Sequence, residues 1–335
     1  MPALPWTSLH DRVHQTIRQR KLLSKQQCLL VAVSGGQDSL CLIRLLLDLQ
    51  PRWGWKLAIA HCNHRWRFDS EANADYVARL ADAWHIPYYG LTADSVTTSE
   101  AAAREWRYGA LATLATELNY PVVLTGHTAS DRAETLLYNL MRGSGADGLQ
   151  ALTWQRGLIP GIQLVRPLLD VTRRETARFC QDAQLQIWED STNCDRHYAR
   201  NRIRQDLLPY LQDHFNPQVE QTLSQTAELL RADVAYLEAM AHDLREKASV
   251  SASHTAPDAC QLNRRILQSA PLALQRRVMR QVLQQLLPTA PTFNQIEKLT
   301  ALISAPNRSR TDPFSGGAIA EVEGDWIIIK KLKVP

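Results

Sequence analysis

Short apolar runs alternate, along the first 140 residues, with segments whose apolar residues recur at helical spacing. Residues 29–33 form a β-rich run typical of a strand buried on both faces, and from residue 39 to 49 the leucine spacing becomes helical. Strands alternating with helices predict a parallel sheet covered on both faces, which is a doubly wound α/β domain. The same alternation predicts strands over 55–64, 86–91 and 120–127, and helices over 69–85, 99–118 and 130–142, the last capped by Ser130.

Three polar clusters directly follow strands of this predicted sheet. They are "SGGQDS" at 34–39, "HCNH" at 61–64 and "GHTASD" at 126–131. In an open parallel sheet, ligands bind outside the carboxyl ends of the strands. We therefore expect the three clusters to meet at one edge of the sheet and to form the functional site.

The pattern becomes less regular after a Gly-rich loop at 142–152. It predicts a helix over about 172–184, a short strand at Ile187–Trp188 and a basic helix before residue 212.

Long helical periodicity over 219–248 precedes a connector at 250–259, and the chain ends in a predicted hairpin that turns at 323–325. We therefore predict two domains, an α/β domain over 1–215 and a smaller, mainly helical domain over 216–335.

Composition places the chain among ordinary globular proteins, with 335 residues, 45% hydrophobic and 21% charged. A net charge of +4 favours a polyanionic partner only weakly. No stretch of the sequence approaches the roughly 18 consecutive apolar residues of a membrane-spanning helix. The N-terminus lacks the apolar segment of a signal peptide. We therefore expect a cytoplasmic protein without a membrane partner.

The six cysteines lie far apart and form no CxxC pair. Such pairs are typical of zinc sites, iron–sulfur clusters and redox disulfides. We interpret the cysteines as small reduced hydrophobic residues of a cytosolic chain.

The "SGGQDS" turn has the residue types that bind phosphate. Gly35 and Gly36 allow the backbone to approach an anion, the following helix N-terminus adds partial positive charge, and Ser34 and Ser39 can donate hydroxyl groups. Asp38 would repel phosphate unless a divalent cation lies between them, so we expect Mg²⁺. The Walker and GxGxxG patterns are absent. The alternative is a tight turn that binds no ligand.

Several motifs in this order resemble the tRNA(Ile)-lysidine synthetase family. "SGGQDS" is similar to the pyrophosphate loop of enzymes that split ATP into AMP and pyrophosphate. "HCNHRWR", "GHTASDRAET", "RGSGADGL", "RPLL" and "EDSTN" with "RNRIRQDLLP" add the family's further motifs, from about residue 29 to 210. The resemblance implies an adenine nucleotide alpha hydrolase-like fold with a smaller C-terminal domain that binds tRNA.

The resemblance also implies the substrates and the roles of individual residues. The substrates would be ATP, L-lysine and a tRNA(Ile) with the anticodon CAU, and lysine would replace the C2 oxygen of the wobble cytidine after that oxygen has been adenylated. The implied site comprises Ser34, Gly35, Gly36, Gln37, Asp38 and Ser39 for pyrophosphate, Asp38 for Mg²⁺, His127, Asp131 and Arg202 for catalysis, and Asn63, His64 and Arg204 for the substrate pocket.

Three positions depart from the family pattern GHHxDDQxET. Thr128 and Ser130 replace the second histidine and the first acid, and Arg132 replaces glutamine, whereas His127, Asp131 and Glu134 match. Roles assigned to the three changed positions are not carried over.

Alternatives remain for several of these features. Asn63 and His64 line the pocket or cap the strand, and the arginines at 196–204 bind phosphate or form a solvated helix face. Trp66 is a candidate for stacking on a base, and the arginines after residue 260 are candidates for RNA contacts. A tRNA thiolase of the same superfamily and a nucleotide sensor without catalysis are the other functions considered. The sequence leaves open whether the chain forms a homodimer.

Overall fold

The structure is a computed structural model that describes residues 5–65, 68–96, 99–188, 196, 198–249, 259–314 and 317–331. The predictions for Trp66, for "EDSTN" and for most of the 250–259 connector lie outside these residues.

A six-stranded sheet with the order β3-β2-β1-β4-β6-β5 forms the centre of the first unit. Five strands run parallel, and β5 pairs antiparallel with β6 at the edge. The strands are β1 (Cys28–Ala32), β2 (Lys56–Asn63), β3 (Tyr88–Thr92), β4 (Val122–Thr125), β5 (Gln155–Ile159) and β6 (Ile162–Val165). The predicted doubly wound α/β class is confirmed.

Helices cover both faces of this sheet. The helices of the first part of the chain are α1 (Ser8–Gln19), α2 (Gln37–Trp53), α3 (Ser70–Ala83), α4 (Glu100–Glu117), α5 (Ala129–Met141), α6 (Ala146–Leu149), α7 (Arg173–Asp182), α8 (Ala199–Arg202) and α9 (Leu208–His214), with a π-helical turn at Ile203–Leu207. Leu29 and Val31 of β1 pack in one core with α2, whereas Leu30 packs in the other with Leu111 and Leu114 of α4. This alternation explains why β1 is apolar at every position.

Most of the predicted elements are confirmed, with ends shifted by a few residues. The strand predicted at Ile187–Trp188 is wrong, since these residues lie in irregular backbone and the amide of Trp188 donates to the carbonyl of Gly35 at 3.0 Å. β5 and β6 were not predicted. β5 is exposed at almost every position and shows no alternation of apolar and polar residues.

The second unit has its own core. The chain divides into two compact units, residues 1–230 and 231–335, and the division falls within α10 (Val219–Ala248). The elements after α10 are β7 (Ala259–Asn263), α11 (Arg264–Gln268), α12 (Leu272–Leu286), α13 (Phe293–Ala301), β8 (Ala318–Glu323) and β9 (Trp326–Lys331). The predicted C-terminal hairpin is confirmed as β8–β9, and β7 pairs with β9 as a third strand.

No helix within the described ranges is long and apolar enough to cross a membrane.

Candidate active site

The turn between β1 and α2 requires glycine for steric reasons. Gly35 has a φ of +86°, and a Cβ atom there would lie 2.5 Å from Oδ1 of Asn73. Gly36 is the N-cap of α2, so the following amides lie at the positive end of a 17-residue helix. The backbone of this turn is therefore open to an anion and closed to larger residues.

Two serine hydroxyls close the turn. The amide of Ser34 donates to Oγ of Ser39 at 3.1 Å, and Oγ of Ser39 donates to the carbonyl of Gly36 at 2.9 Å. The two Oγ atoms lie 3.2 Å apart. The predicted pyrophosphate residues Ser34, Gly35, Gly36 and Ser39 are thus brought together in one loop at the start of α2.

Gln37 contributes differently from its neighbours. Its Nε2 donates to the carbonyl of Arg173 at 2.8 Å and to Oγ1 of Thr176 at 3.1 Å. The side chain of Gln37 therefore binds α7, and its backbone amide lies at the start of α2.

Asp38 lies in a polar contact between α2 and α7. Nε of Arg173 lies 3.2 Å from its Oδ2, and Oγ1 of Thr176 donates to its Oδ1. Burial raises the pKa of Asp38, the charge of Asp131 adds to this rise, and Arg173 and Thr176 oppose it.

The chemistry around Asp38 fits Mg²⁺. No group of three or more His, Cys, Asp or Glu side chains among the described residues is arranged to bind a metal alone. Mg²⁺ commonly uses one or two carboxylates together with substrate phosphates and retained waters. A single carboxylate beside a phosphate loop is such a donor set.

Gly126 brings the second cluster onto the first. A Cβ atom at Gly126 would lie 2.7 Å from the carbonyl oxygen of Asp38. The loop after β4 can therefore pack directly on the first turn of α2 only with glycine at this position. This contact places His127 and Asp131 on the same sheet edge as Asp38.

His127 is neutral at physiological pH. Burial lowers its pKa to about 3, the positive charges of Arg166, Arg104 and Arg107 contribute, and Asp131 opposes them. Its Nδ1 lies 2.8 Å from Oγ1 of Thr125. A neutral imidazole here can accept a proton or a hydrogen bond, but it is not a permanent cation.

Asp131 is ionised and fixed by its own helix. Thr128 caps α5, with its amide and hydroxyl both donating to Oδ2 of Asp131 at 2.8 Å. Burial alone would raise the pKa of Asp131, but Arg173, His127 and these two donors lower it to about 2. The prediction that Ser130 caps this helix is wrong, because Thr128 and Asp131 form the capping box.

Arg173, at the first position of α7, joins three carboxylates. Its Nε lies 3.2 Å from Asp38, its Nη2 2.8 Å from Asp131 and its Nη1 2.8 Å from Glu134. Arg204 forks onto Glu134, with Nε 2.7 Å from Oε1 and Nη2 3.0 Å from Oε2. The three acids raise the pKa of Arg173, against the effect of burial.

The other predicted site residues lie away from this cluster or on its margin. Asn63 is buried at the end of β2, and its Oδ1 accepts from the amide of Arg65 at 2.9 Å, which stabilises the turn at Arg65 with φ +59°. His64 is half-buried in the same turn. Arg202 is exposed on α8, and its Nη1 donates to the carbonyl of Arg196 at 3.0 Å. Arg204, the other predicted arginine, contacts Glu134.

Sequence reasoning missed Arg173, Thr176 and the role of Glu134. The segment "TRRE" at 172–175 is a capping-box sequence, and the structure confirms Thr172 and Glu175 as that box. This signal gives the start of α7 but not the direction in which Arg173 points.

Two of the three residues that depart from the family pattern contact α10. Oγ of Ser130 donates to Glu220 at 2.6 Å and accepts from the amide of Arg173 at 3.0 Å. Arg132 is 2% exposed, and its Nη2 lies 2.8 Å from Glu228. Both changed residues therefore connect α5 to α10.

Comparison with known families agrees with this architecture. Residues 7–211 match the PP-loop domain family, and residues 262–320 match the TilS substrate binding domain family. The tRNA(Ile)-lysidine synthase of Nostoc sp. is 64% identical over 333 residues, covering 97% of each chain. The same-named protein of Synechocystis sp. is 50% identical, covering 97% of this chain and 98% of its own.

Comparison with solved structures shows the fold alone. The U34-tRNA thiolase NcsA from Methanococcus maripaludis, solved with its 4Fe-4S cluster, has a TM-score of 0.55 and 15% identity. The likeness covers 67% of this chain and 78% of that one.

Proposed function

This chain belongs to the tRNA(Ile)-lysidine synthase family, and from that premise we propose that it forms lysidine on tRNA(Ile) in an ATP-dependent ligation. The observation that carries the proposal is the junction of a phosphate loop, a neutral histidine and three carboxylates at one sheet edge. The alternatives are a tRNA thiolase and a nucleotide sensor, and neither is favoured by the relatives that match along almost the whole chain.

The proposed chemistry has two steps. The C2 oxygen of the wobble cytidine attacks the α-phosphorus of ATP, and the bond to pyrophosphate breaks. The ε-amine of lysine then attacks C2, and AMP leaves with the original oxygen while the amine loses a proton. The first step is needed because the C2 oxygen of cytosine is a poor leaving group and AMP is a good one.

The loop at residues 34–39 is the proposed pyrophosphate site. The amides at the start of α2 would bind an anion there, together with the hydroxyl of Ser34 and, once it turns from the carbonyl of Gly36, that of Ser39. Asp38 is the proposed ligand of Mg²⁺, which neutralises phosphate charge when bound. Together these groups would orient the leaving pyrophosphate.

His127 and Asp131 are the proposed acid–base and orienting groups. His127 is neutral, and its low pKa of about 3 suits it to accept a hydrogen bond from the attacking amine and orient it more than to take the full proton. Asp131 keeps its charge at every physiological pH and would orient the amine or stabilise positive charge on it. Arg104, Arg107 and Arg166 lie close enough to act electrostatically on His127, and we propose that they also stabilise the negative charge of the transferred phosphate.

The carboxylates of Asp131 and Glu134 are the proposed partners of an ammonium group of lysine. Both are held on one face of α5, beside the phosphate loop. Asn63, His64 and Arg202 remain proposals for the cytidine pocket and for phosphate contacts. The reacting base must leave its stack to reach the edge of the sheet.

We propose that the second unit binds tRNA, since the match to the TilS substrate binding domain lies within it. Recognition of the CAU anticodon, a cytoplasmic location and a homodimer remain predictions from the sequence.

A labelling experiment tests the proposed function. The chain is incubated with ATP, Mg²⁺ and tRNA(Ile), first with labelled lysine and then with a labelled sulfur donor. We expect lysine label on the RNA only when ATP is present. Sulfur label would support the thiolase instead, and no label with normal ATP binding would support the sensor.

A further inference from the structure

Arg173 uses all three of its guanidinium nitrogens on three different carboxylates. Nε contacts Asp38, Nη2 contacts Asp131 and Nη1 contacts Glu134, at distances of 3.2, 2.8 and 2.8 Å. The three acids come from two different helices, α2 and α5. One side chain therefore binds an oxygen atom of each of the three acids.

This arrangement competes with the proposed substrates. Mg²⁺ is expected on Asp38, and an ammonium group of lysine is expected on Asp131 and Glu134. Arg173 and Arg204 already share Oε1 of Glu134, whereas Oδ1 of Asp131 is bound by Nη2 of Arg173 at 2.8 Å. An ammonium group on Asp131 would need that oxygen, so the side chain of Arg173 must release Asp131 before lysine binds there.

The backbone of Arg173 is fixed independently of its side chain. Its amide donates to Oγ of Ser130 at 3.0 Å, and its carbonyl accepts from Nε2 of Gln37 at 2.8 Å. The capping box of Thr172 and Glu175 fixes the same helix end. The side chain, which is 25% exposed, can therefore change partners while α7 stays in place.

ATP supplies a better partner within reach. The phosphate loop includes Asp38, the residue that Arg173 already contacts, so a bound pyrophosphate group would lie beside the guanidinium. Arginine is permanently charged and its planar fork matches phosphate oxygens. A two-nitrogen contact to phosphate oxygens would replace the single-nitrogen contact that Arg173 makes to each carboxylate.

We propose that Arg173 is a positioning residue that occupies the lysine site until ATP binds, and then moves to the phosphates. This inference rests on the proposed function. It predicts ordered binding in which ATP frees Asp131 for the ammonium group of lysine. Arg204 keeps its two bonds to Glu134 and preserves the shape of the site during the exchange.

The test measures lysine binding to the full chain by calorimetry, with and without a non-hydrolysable ATP analogue and Mg²⁺. In the wild type the analogue should raise lysine affinity by at least about fivefold, within the usual range of coupling between two sites. Arg173→Gln should bind lysine more tightly without nucleotide, and its ratio of affinities with and without analogue should fall toward one. Arg174→Gln is the matched control, because it removes the same charge from the exposed neighbouring position and should keep the wild-type ratio.

Two results would overturn the inference. One is a wild-type lysine affinity that does not change with the analogue, and the other is an unchanged ratio in folded Arg173→Gln. If that variant does not fold, Arg173→Lys replaces it, because lysine keeps the charge but lacks the planar fork, and its ratio of affinities should also fall below that of the wild type. Lysidine formation by the wild type is assayed in parallel, so that loss of coupling with normal lysidine formation refutes only the role of Arg173.

Discussion

Asp38 is the residue on which the proposed first chemical step would depend most directly. Its carboxylate lies at the positive end of α2 and accepts hydrogen bonds from Arg173 and Thr176. An asparagine amide has only one accepting oxygen and could accept only part of these bonds. The proposed Mg²⁺ would connect this carboxylate to the phosphates of ATP.

We expect Asp38→Asn to keep the fold and to lower AMP and pyrophosphate formation at least about 100-fold, because metal binding supplies several kcal/mol of charge stabilisation. Pyrophosphate release at saturating Mg²⁺ measures this effect. Asp82→Asn, at an exposed position of α3, is the control and should keep normal turnover. Near-normal turnover of the Asp38 variant would remove this residue from the mechanism.

His127 makes the stability of the chain depend on pH. Its pKa of about 3 in the folded state lies below the ordinary value of 6.5, so between these values the unfolded chain binds the extra proton. The contribution of His127 to the free energy of unfolding is therefore at its maximum above pH 6.5. It falls as the pH is lowered toward 3, by at most about 1.4 kcal/mol per pH unit.

We expect His127→Asn to show a shallower loss of stability than the wild type between pH 6 and about pH 4.5. Urea unfolding at a series of pH values measures the slope. His85→Asn, at an exposed position, should retain the wild-type slope. Equal slopes for the wild type and the His127 variant would show that His127 is not held neutral by the fold.

Arg202 and Arg204 have different surroundings although both belong to one basic segment. Arg204 is tied to Glu134, whereas Arg202 is exposed. If Arg202 offsets charge that develops during transfer, Arg202→Ala should lower single-turnover adenylation at saturating tRNA more than it lowers tRNA affinity. Normal adenylation, with a salt dependence of tRNA binding reduced by about one counterion, would instead make Arg202 a docking residue. Arg178→Ala, an exposed arginine of α7, is the control.

At the residue scale, the sequence predicts the phosphate loop better than it predicts the carboxylate cluster. "SGGQDS" is continuous, and the strand and helix around it determine its conformation. Arg173 reaches Asp38 across 135 positions of the chain, and this contact depends on how α7 packs on α2. Spacing in the sequence contains no signal for such a contact.

At the scale of elements, the packing of α5 on α10 decides the geometry of the site. Arg132 donates to the carbonyl of Leu152 at 2.9 Å and pairs with Glu228, which also accepts from Trp154. A buried arginine in this position is stable only with such partners.

We expect Arg132→Ala to lower the free energy of unfolding by roughly 2 to 4 kcal/mol, because it removes one member of a buried ion pair. Urea unfolding measures the change. Arg178→Ala, whose side chain is 84% exposed, should change stability by less than about 0.5 kcal/mol. A loss of similar size in both variants would contradict the structural role of the pair.

The elements themselves were largely predictable where the hydrophobic period was strong. β1 to β4 and α2 to α5 follow from apolar runs and helical spacing. β5 was not predictable, because a strand at the edge of a sheet has few buried positions and carries little hydrophobic pattern. Ile187 and Trp188 were predicted as a strand because both are apolar, but the structure does not pair them in a sheet.

At the scale of the whole molecule, many arginines of the second unit are already paired with acids. Glu238 contacts Arg277 and Arg280, while Arg276 lies 2.7 Å from Glu297. Counting basic residues in the sequence therefore overstates the charge available for RNA. The hypothesis that this unit binds tRNA gains its support from the TilS substrate binding domain match and not from the count.

The first turns of α10 also matter for any division of the chain. Glu220 and Glu228 bind Ser130 and Arg132 of the catalytic helix. A truncation after residue 217 would remove these contacts, so loss of activity in such a fragment would not measure tRNA binding alone.

The central claim is that one sheet edge first adenylates cytidine and then exchanges AMP for lysine. Mass spectrometry of the anticodon fragment tests this most directly, on tRNA(Ile) incubated with the chain, ATP and Mg²⁺ before and after lysine is added. The account predicts an adenylylated cytidine before lysine is added, and its conversion to lysidine with release of AMP afterwards. Lysidine that forms without ATP, or an adenylylated cytidine that lysine does not consume, would contradict it.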